Sequence, residues 1–510
     1  MRAIARGTRE CRRNPSQKKS AEGIVLRRAG RPEFSKQGSE LKVSKDNEIP
    51  KEWKQGIQGD LFAMGHDAGA EKGGGTSRKD QRVELFSRLE EQRTLTTDTV
   101  GKISDQWYLL NAFRHVKRND GTAGIDGVTL EDYERDLLSN IRQLQTQMKA
   151  GTYEASAVRG VEIEKPNGGT RLLGIPTVGD RVVQQCIQTE LQKVFDPYFS
   201  ETSYGFRPGR SAHQAIERAS EYVKEGKIWV VDIDLKSFFD EINHDRLMNR
   251  LRKSISDKKL LKLIHRFLQA GLMQGGLETQ RIAGTPQGGP LSPLLSNIVL
   301  DELDKELELR GLSFVRYADD CNIFVSSERS AQRVLKSLTT FIEKQLKLKV
   351  NQDKSGVRRC DEVKFLGHTI MKDGKIRIAD KSIVRFKAKI RQVTKRNRAI
   401  PLRKLILEVN LILQGWANYY RKCNTWLSVL RDMDGWIRNR IRCYALKLCG
   451  RKYATYRFLR SLGVNERQSW NAVMFHGWWP MANLNYVRKG MGLAWFVKLG
   501  LRSLVSVQRG

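Results

Sequence analysis

The sequence predicts an α+β domain followed by an all-helical, strongly basic one. Three observations carry that prediction. Between residues 99 and 375 strand and helix signals mix without the strict alternation of parallel-sheet units. From about 376 apolar residues recur at helical spacing, and residues 373–460 hold 23 Lys/Arg against 5 Asp/Glu. Residues 1–98 are polar and Gly-rich, as in "GAEKGGGTSRKD", and read as a poorly ordered basic extension with one helix near "QRVELFSRLEEQR".

The elements follow in order. "DQWYLLNAFRHVKRNDGTAGIDGVTLEDYERDLLSNI" reads as helix, Gly-containing loop, helix, with Thr129 and Asp132 as a capping pair. "RGVEIEKPNGGTRLLGIP" alternates around Asn-Gly-Gly, a hairpin signal, and "RVVQQCIQTELQKVF" is helical. Ile228 to Asp234 alternates as a strand, and "KSFFDEINHDRL" begins a helix after it. "GTPQGGP" is an irregular loop leading into the helix "SPLLSNIVLDELDKEL". "LSFVRYADDCNIFV" reads as strand, tight turn, strand, with Ala318-Asp319 at the bend. "LRKLILEVNLILQGWANYYRKC" and "LRDMDGWIRNRIRCYALKLC" supply the basic helices.

Charge bounds the partners. Lys+Arg number 91 against 57 Asp+Glu, a net +34, so a polyanion is expected, nucleic acid before a membrane surface. No run approaches the ~18 apolar residues of a membrane span. The seven cysteines are scattered and form no CxxC pair, which points to free thiols and away from a zinc site. The basic start lacks an apolar signal core, so the expected location is the cytoplasm, bacterial cytoplasm or nucleoid ahead of an organelle.

The carboxylates carry the chemistry. Asp232 and Asp234 are two apart and share one face of a strand. If that strand neighbours the Asp319-Asp320 hairpin, Asp234, Asp319 and Asp320 converge on a small volume where their charges repel. Hard divalent cations relieve such repulsion, and two of them can activate a 3′-hydroxyl and stabilise a pyrophosphate leaving group. An Asp-Asp pair alone is most often an ordinary turn. That reading leaves Asp234, the flanking apolar strands and the Gly-Pro loop between them unexplained.

The ordered blocks "DIDLKSFFDEI", "GTPQGGPLSPLLSN", "YADD", "LKLKVNQDKSGV" and "VKFLGH" resemble the fingers and palm of reverse transcriptases. "EKPNGGTRLLGIP", "YGFRPGRSAHQAI" and "QGWANYYR" narrow the resemblance to group II intron-encoded reverse transcriptase/maturases, over roughly residues 100–510. It implies a right-hand polymerase, with fingers and an antiparallel palm sheet over 99–375 and an all-α thumb/maturase domain over 376–462. A D region over 463–510 would follow, DNA-binding in type. After residue 450 there is one histidine, His476, and no cysteine, so no HNH endonuclease is expected there. The leader 1–98 departs from the family pattern.

By this resemblance Asp234, Asp319 and Asp320 are the catalytic, metal-binding triad for two Mg²⁺ (or Mn²⁺) ions, with Asp232 beside the metals and not on them. Phe239, five past Asp234, stands as a steric gate against a 2′-hydroxyl and favours dNTPs. Gln287 lines the incoming nucleotide, Lys165 and Arg171 suit its triphosphate, and Lys354 matches a lysine able to protonate pyrophosphate. Arg207 and Arg210 are expected to meet template phosphate or to structure the fingers. Phe365, Leu366 and Gly367 resemble the primer-grip hairpin. Trp416, Tyr420 and Arg421 are expected on nucleic acid, although helical aromatics more often bury. The implied function is RNA-directed DNA synthesis on an RNA template with a DNA primer or target DNA, supporting retrohoming, together with binding of the intron RNA to assist splicing. A splicing-only maturase and a polymerase recruited to DNA repair are the alternatives.

Overall fold

Alternation of apolar and polar residues yields ten strands among the described residues, in three sheets. They are β1 (Val158–Glu164), β2 (Thr170–Ile175), β3 (Trp229–Ile233), β4 (Leu272–Gln274), β5 (Leu277–Thr279), β6 (Ser313–Tyr317), β7 (Asp320–Val325), β8 (Gly356–Arg359), β9 (His368–Ile370) and β10 (Ile376–Ile378). The computed structural model describes residues 98–164, 169–274, 277–279, 283–424 and 427–509. The leader with its expected helix, and the expected triphosphate-binding Lys165, lie outside the described residues.

β1 and β2 form the expected antiparallel hairpin, with Glu162 opposite Leu172, and the sheet continues in the order β2-β1-β4-β5. The second sheet runs β6-β7-β3-β8, every neighbour antiparallel. Its central strand β3 is covered on both faces, and the two-residue period sorts its side chains accordingly. Val231 and Ile233 enter a large core with the helices Gln106–Arg118, Val178–Phe195, His244–Ser254, Lys258–Gln269 and Ser292–Leu309. Val230 enters a second core with Ala215, Ile216 and Ala219 of the helix Ala212–Lys224 and with Ile376 and Ile378 of β10. Caps close the helices where the sequence asks for them. Thr129 and Asp132 form a reciprocal capping box, and Thr177 accepts from the Asp180 N–H at the start of Val178–Phe195.

The basic half is helical as expected. Asp380–Val393, Leu402–Tyr419 and Leu427–Leu448 bury Phe386, Leu405, Val409, Leu413 and Ile437 in a third core. The chain after 462 does not form a separate body. Phe496 and Leu504 join that third core, and the Asp434 carboxylate accepts from Leu504 N–H at 3.0 Å. Leu459, Val464, Ala472 and Met481 share a fourth core with Leu446, so one core spans the expected boundary at 462/463. Among the described residues no helix is long and apolar enough to cross a membrane.

Candidate active site

Register brings the carboxylates together. In the β3–β7 pairing Ile233 lies opposite Cys321 and Asp232 opposite Asn322, while Tyr317 pairs with Asp320 across the β6–β7 turn. Asp234, the first residue after β3, therefore sits at the same end of the sheet as the two-residue turn Ala318-Asp319 and Asp320 beyond it. The electrostatics report the crowding. The Asp320 carboxyl is pushed up to about 8, first by burial and then by the charges of Asp232, Asp319 and Asp234. Burial also raises Asp232, with Asp234 adding to it and the Arg358 guanidinium opposing.

The turn is held in a conformation that its own sequence disfavours. Ala318 has φ +58°, the left-handed region that costs a non-glycine residue roughly 1–2 kcal/mol. Arg316, fully buried, supplies the restraint. Its guanidinium donates to both oxygens of Asp304, at 2.7 and 2.5 Å, to Asn297 Oδ1 at 2.9 Å and to the Ala318 carbonyl at 3.0 Å. Asn297 Nδ2 in turn donates to the Gly205 carbonyl at 2.8 Å. Gly205 lies so close under the turn that a Cβ there would stand 2.2 Å from Ala318 N, so no side chain fits. Sequence reasoning missed Arg316, Asp304 and Asn297. A charged residue inside an otherwise apolar strand was the available signal.

On the other side, Asp234 is fixed from the loop before β8. Asn351 donates its N–H to the Asp234 carbonyl at 2.8 Å and its Nδ2 to Oδ2 at 2.9 Å, and Lys354 Nζ lies 3.3 Å from the same Oδ2. Arg358 Nη1 lies 3.0 Å from Asp232 Oδ2. Asp320 meets Asn322 Nδ2 at a long 3.5 Å, and Asn322 Oδ1 is buried without a hydrogen-bond partner. An all-oxygen donor set with this much negative charge fits hard divalent cations. Among the described residues no three acidic, His or Cys side chains stand together closely enough to hold a metal ion, and Asp234 is turned toward Asn351 and Lys354.

The Gly-Pro loop joins β2 to the helix Phe238–Glu241 that follows β3. Thr285 N–H donates to the Phe239 carbonyl at 2.7 Å, and Gly174 N–H of β2 donates to the Gln287 carbonyl at 3.0 Å. Gly288 lies against β2, where a Cβ would come within 2.5 Å of the Gly174 carbonyl oxygen. The half-buried Phe239 ring sits edge-on to Phe238 with centroids 5.4 Å apart. Arg171 is exposed on β2 opposite Ile163.

Arg207 and Arg210, expected on template phosphate or as supports of the fingers, are both held by protein groups. Arg207 is buried and turned inward, donating to the Asp196 carboxylate and to the carbonyls of Asp196, Ser200 and Ser203. These bonds tie Arg207 to the segment 196–203. Arg210 is tied to Glu201 at 2.6 Å, with its guanidinium 5.7 Å from the Tyr204 ring centre. Phe365 is buried, and Leu366 and Gly367, both at positive φ, form a two-residue turn bonded between Phe365 and His368. That turn docks on the basic helices, because Tyr419 Oη donates to the Leu366 carbonyl at 2.8 Å. Tyr420 is buried and Trp416 half-buried in a ring cluster with His368 and Phe386. Arg421 is exposed.

Residues 163–370 match the family of reverse transcriptases (RNA-dependent DNA polymerases), and residues 383–463 match the group II intron maturase-specific domain. Protein YkfC of Escherichia coli (strain K12) is 31% identical over 330 residues, 57% of this chain and 85% of YkfC. The chain belongs to the group II intron-encoded reverse transcriptase/maturase family. Group II intron-encoded protein LtrA of Lactococcus lactis subsp. cremoris is 30% identical over 342 residues, and the chain spans 56% of LtrA's length. The partial Cas6-RT-Cas1–Cas2 complex is a solved structure with 26% identity over 48% of this chain and 42% of that one, at a TM-score of 0.32. The right-hand α+β fold with a helical C-terminal part is thus the family's, with the polymerase match ending at β9 and the maturase match lying in the basic helices.

Proposed function

We propose that this chain is an RNA-directed DNA polymerase that also binds its group II intron RNA, assists splicing, and supports retrohoming by primed cDNA synthesis. One observation carries the polymerase reading most directly: the register of β3, β6 and β7 brings Asp234, Asp319 and Asp320 to one end of the sheet, where burial first and then the charges of Asp232, Asp319 and Asp234 raise the Asp320 carboxyl. The basic helices carry the RNA reading, since a polyanion's phosphates suit 23 cations among 5 carboxylates.

Asp234, Asp319 and Asp320 would hold two Mg²⁺ ions, with Mn²⁺ the other hard candidate. Such ions lower the pKa of the primer 3′-hydroxyl and stabilise charge on the departing pyrophosphate. The protein's part is positional. The Arg316 anchor fixes the turn bearing Asp319 and Asp320 before any substrate arrives. Phe239, held by Thr285, stands against the sugar's 2′ position, and Gln287 lies where the fingers sheet meets the palm. Arg171, with Lys165 beyond the described hairpin, meets the triphosphate. Lys354 neutralises Asp234 at rest and, once released, is free to give a proton to pyrophosphate.

The test is incorporation of dNTPs by the purified chain on an RNA template with a DNA primer, with and without Mg²⁺. Asp234→Asn should lower the rate by about three orders of magnitude, as losing several kcal/mol of transition-state stabilisation implies. Unchanged incorporation by Asp234→Asn removes that residue from the site.

A further inference from the structure

Away from the carboxylates, the helices Lys452–Ser461 and Glu466–Met474 carry an arrangement that the polymerase reading does not use. Tyr453 and Tyr456, one turn apart, stack with centroids 5.9 Å apart and planes 21° apart. Tyr456 stacks in turn on Trp470 of the second helix at 4.4 Å and 22°. Three near-parallel rings thus form a ladder across two helices. It is not core. The two helices and the turn between them pack through Leu459, Val464 and Ala472, whereas Tyr453 is 61% exposed and Trp470 42%.

The surroundings select one kind of partner. Residues 451–470 contain Arg451, Lys452, Arg457, Arg460 and Arg467 against the single acid Glu466, and all six are exposed. An apolar protein surface has no use for so many exposed cations, and a duplex presents phosphates but hides its base faces. A single strand presents both: phosphates for the cations and unstacked bases for the ring faces. We infer that Tyr453 and Trp470, the outer rings of the ladder stacked on Tyr456 between them, form a stacking platform for single-stranded nucleic acid, with Arg451, Lys452, Arg457 and Arg467 on its phosphates. The inference rests on the reading of this chain as a nucleic-acid enzyme and adds to it a second site outside the palm.

The test uses the full chain and 12-nucleotide strands of oligo-U and oligo-dT, each with a matched strand of abasic sites. Replacing Tyr453, Tyr456 and Trp470 together by Leu should weaken binding of the base-bearing strands about ten-fold while sparing the abasic ones, and the triple Phe variant should retain most of the affinity. The RNA and DNA arms identify which strand the platform prefers. Equal loss on base-bearing and abasic strands, or no loss, overturns the inference. A readout that needs no variant is photocrosslinking of 5-iodouracil strands, mapped by mass spectrometry to the peptides holding these three rings. Crosslinks confined to other peptides overturn it as well. The crosslinks should persist in the Asp319→Asn/Asp320→Asn protein. If they do while the wild type incorporates no dNTP, the polymerase reading fails and the platform stands.

Discussion

At the scale of single residues, the site depends on an arginine that touches no substrate. Arg316 joins a buried ion pair to the carbonyl of the strained Ala318. Arg316→Met should destabilise the fold by about 3–5 kcal/mol, because Asp304 is left buried and unpaired. Arg316→Met/Asp304→Leu should recover most of that loss in thermal unfolding yet remain slow in primer extension, since Ala318 still lacks its donor. Full activity in the double variant would remove the positioning role. Asp320 makes a second prediction. A carboxyl raised from 3.8 to about 8 stabilises the fold while protonated, and that contribution is lost as pH rises between those values. The stabilisation conferred by Mg²⁺ should therefore grow from pH 6 to 8.5 in thermal unfolding, and stay nearly flat in Asp320→Asn. The carboxylates were legible because acids inside apolar strands are anomalous. For Arg207 the sequence left template phosphate and a structural role both open, because its acceptors are mostly backbone carbonyls that no side-chain pattern reveals.

At the scale of elements, the grip turn and the basic helices are one piece of packing. His368 contacts Tyr419 and Tyr420, its Nδ1 lies 2.9 Å from the Leu366 carbonyl, and Tyr419 bonds the same carbonyl. Burial holds the His368 imidazole down to about 4 from its ordinary 6.5, against the hydrogen bond to Leu366. The sign follows: its contribution to stability is present above about 6.5 and is lost as pH falls toward about 4. The thermal midpoint of the wild type should drop more steeply over that window than that of His368→Gln, and parallel curves would show that His368 does not control the docking. Strands, hairpins and helices here were readable from period and turn chemistry, as in the Thr129–Asp132 box. Their docking was not. Tyr419 and Leu366 are 53 residues apart, and helical spacing says that Trp416 and Tyr420 have a buried face without saying what covers it.

At the scale of the whole molecule, a carboxylate centre and a basic helical half are joined through shared cores. The sequence contained both halves as a change in composition near 375, and their order of motifs was enough to suggest the family. It did not reveal that residues beyond 462 fold back onto the helix Leu427–Leu448, because that contact is made by scattered apolar residues such as Met481 and Phe496 with no local signature. The central claim is that synthesis belongs to the carboxylates and splicing assistance to the basic surface. Asp319→Ala/Asp320→Ala separates them, assayed for Mg²⁺-dependent dNTP incorporation on a primed RNA and for splicing of the adjacent intron. The account predicts that incorporation vanishes while splicing continues at the wild-type level. A wild-type protein that promotes splicing but incorporates nothing, or a variant that still incorporates, would contradict it.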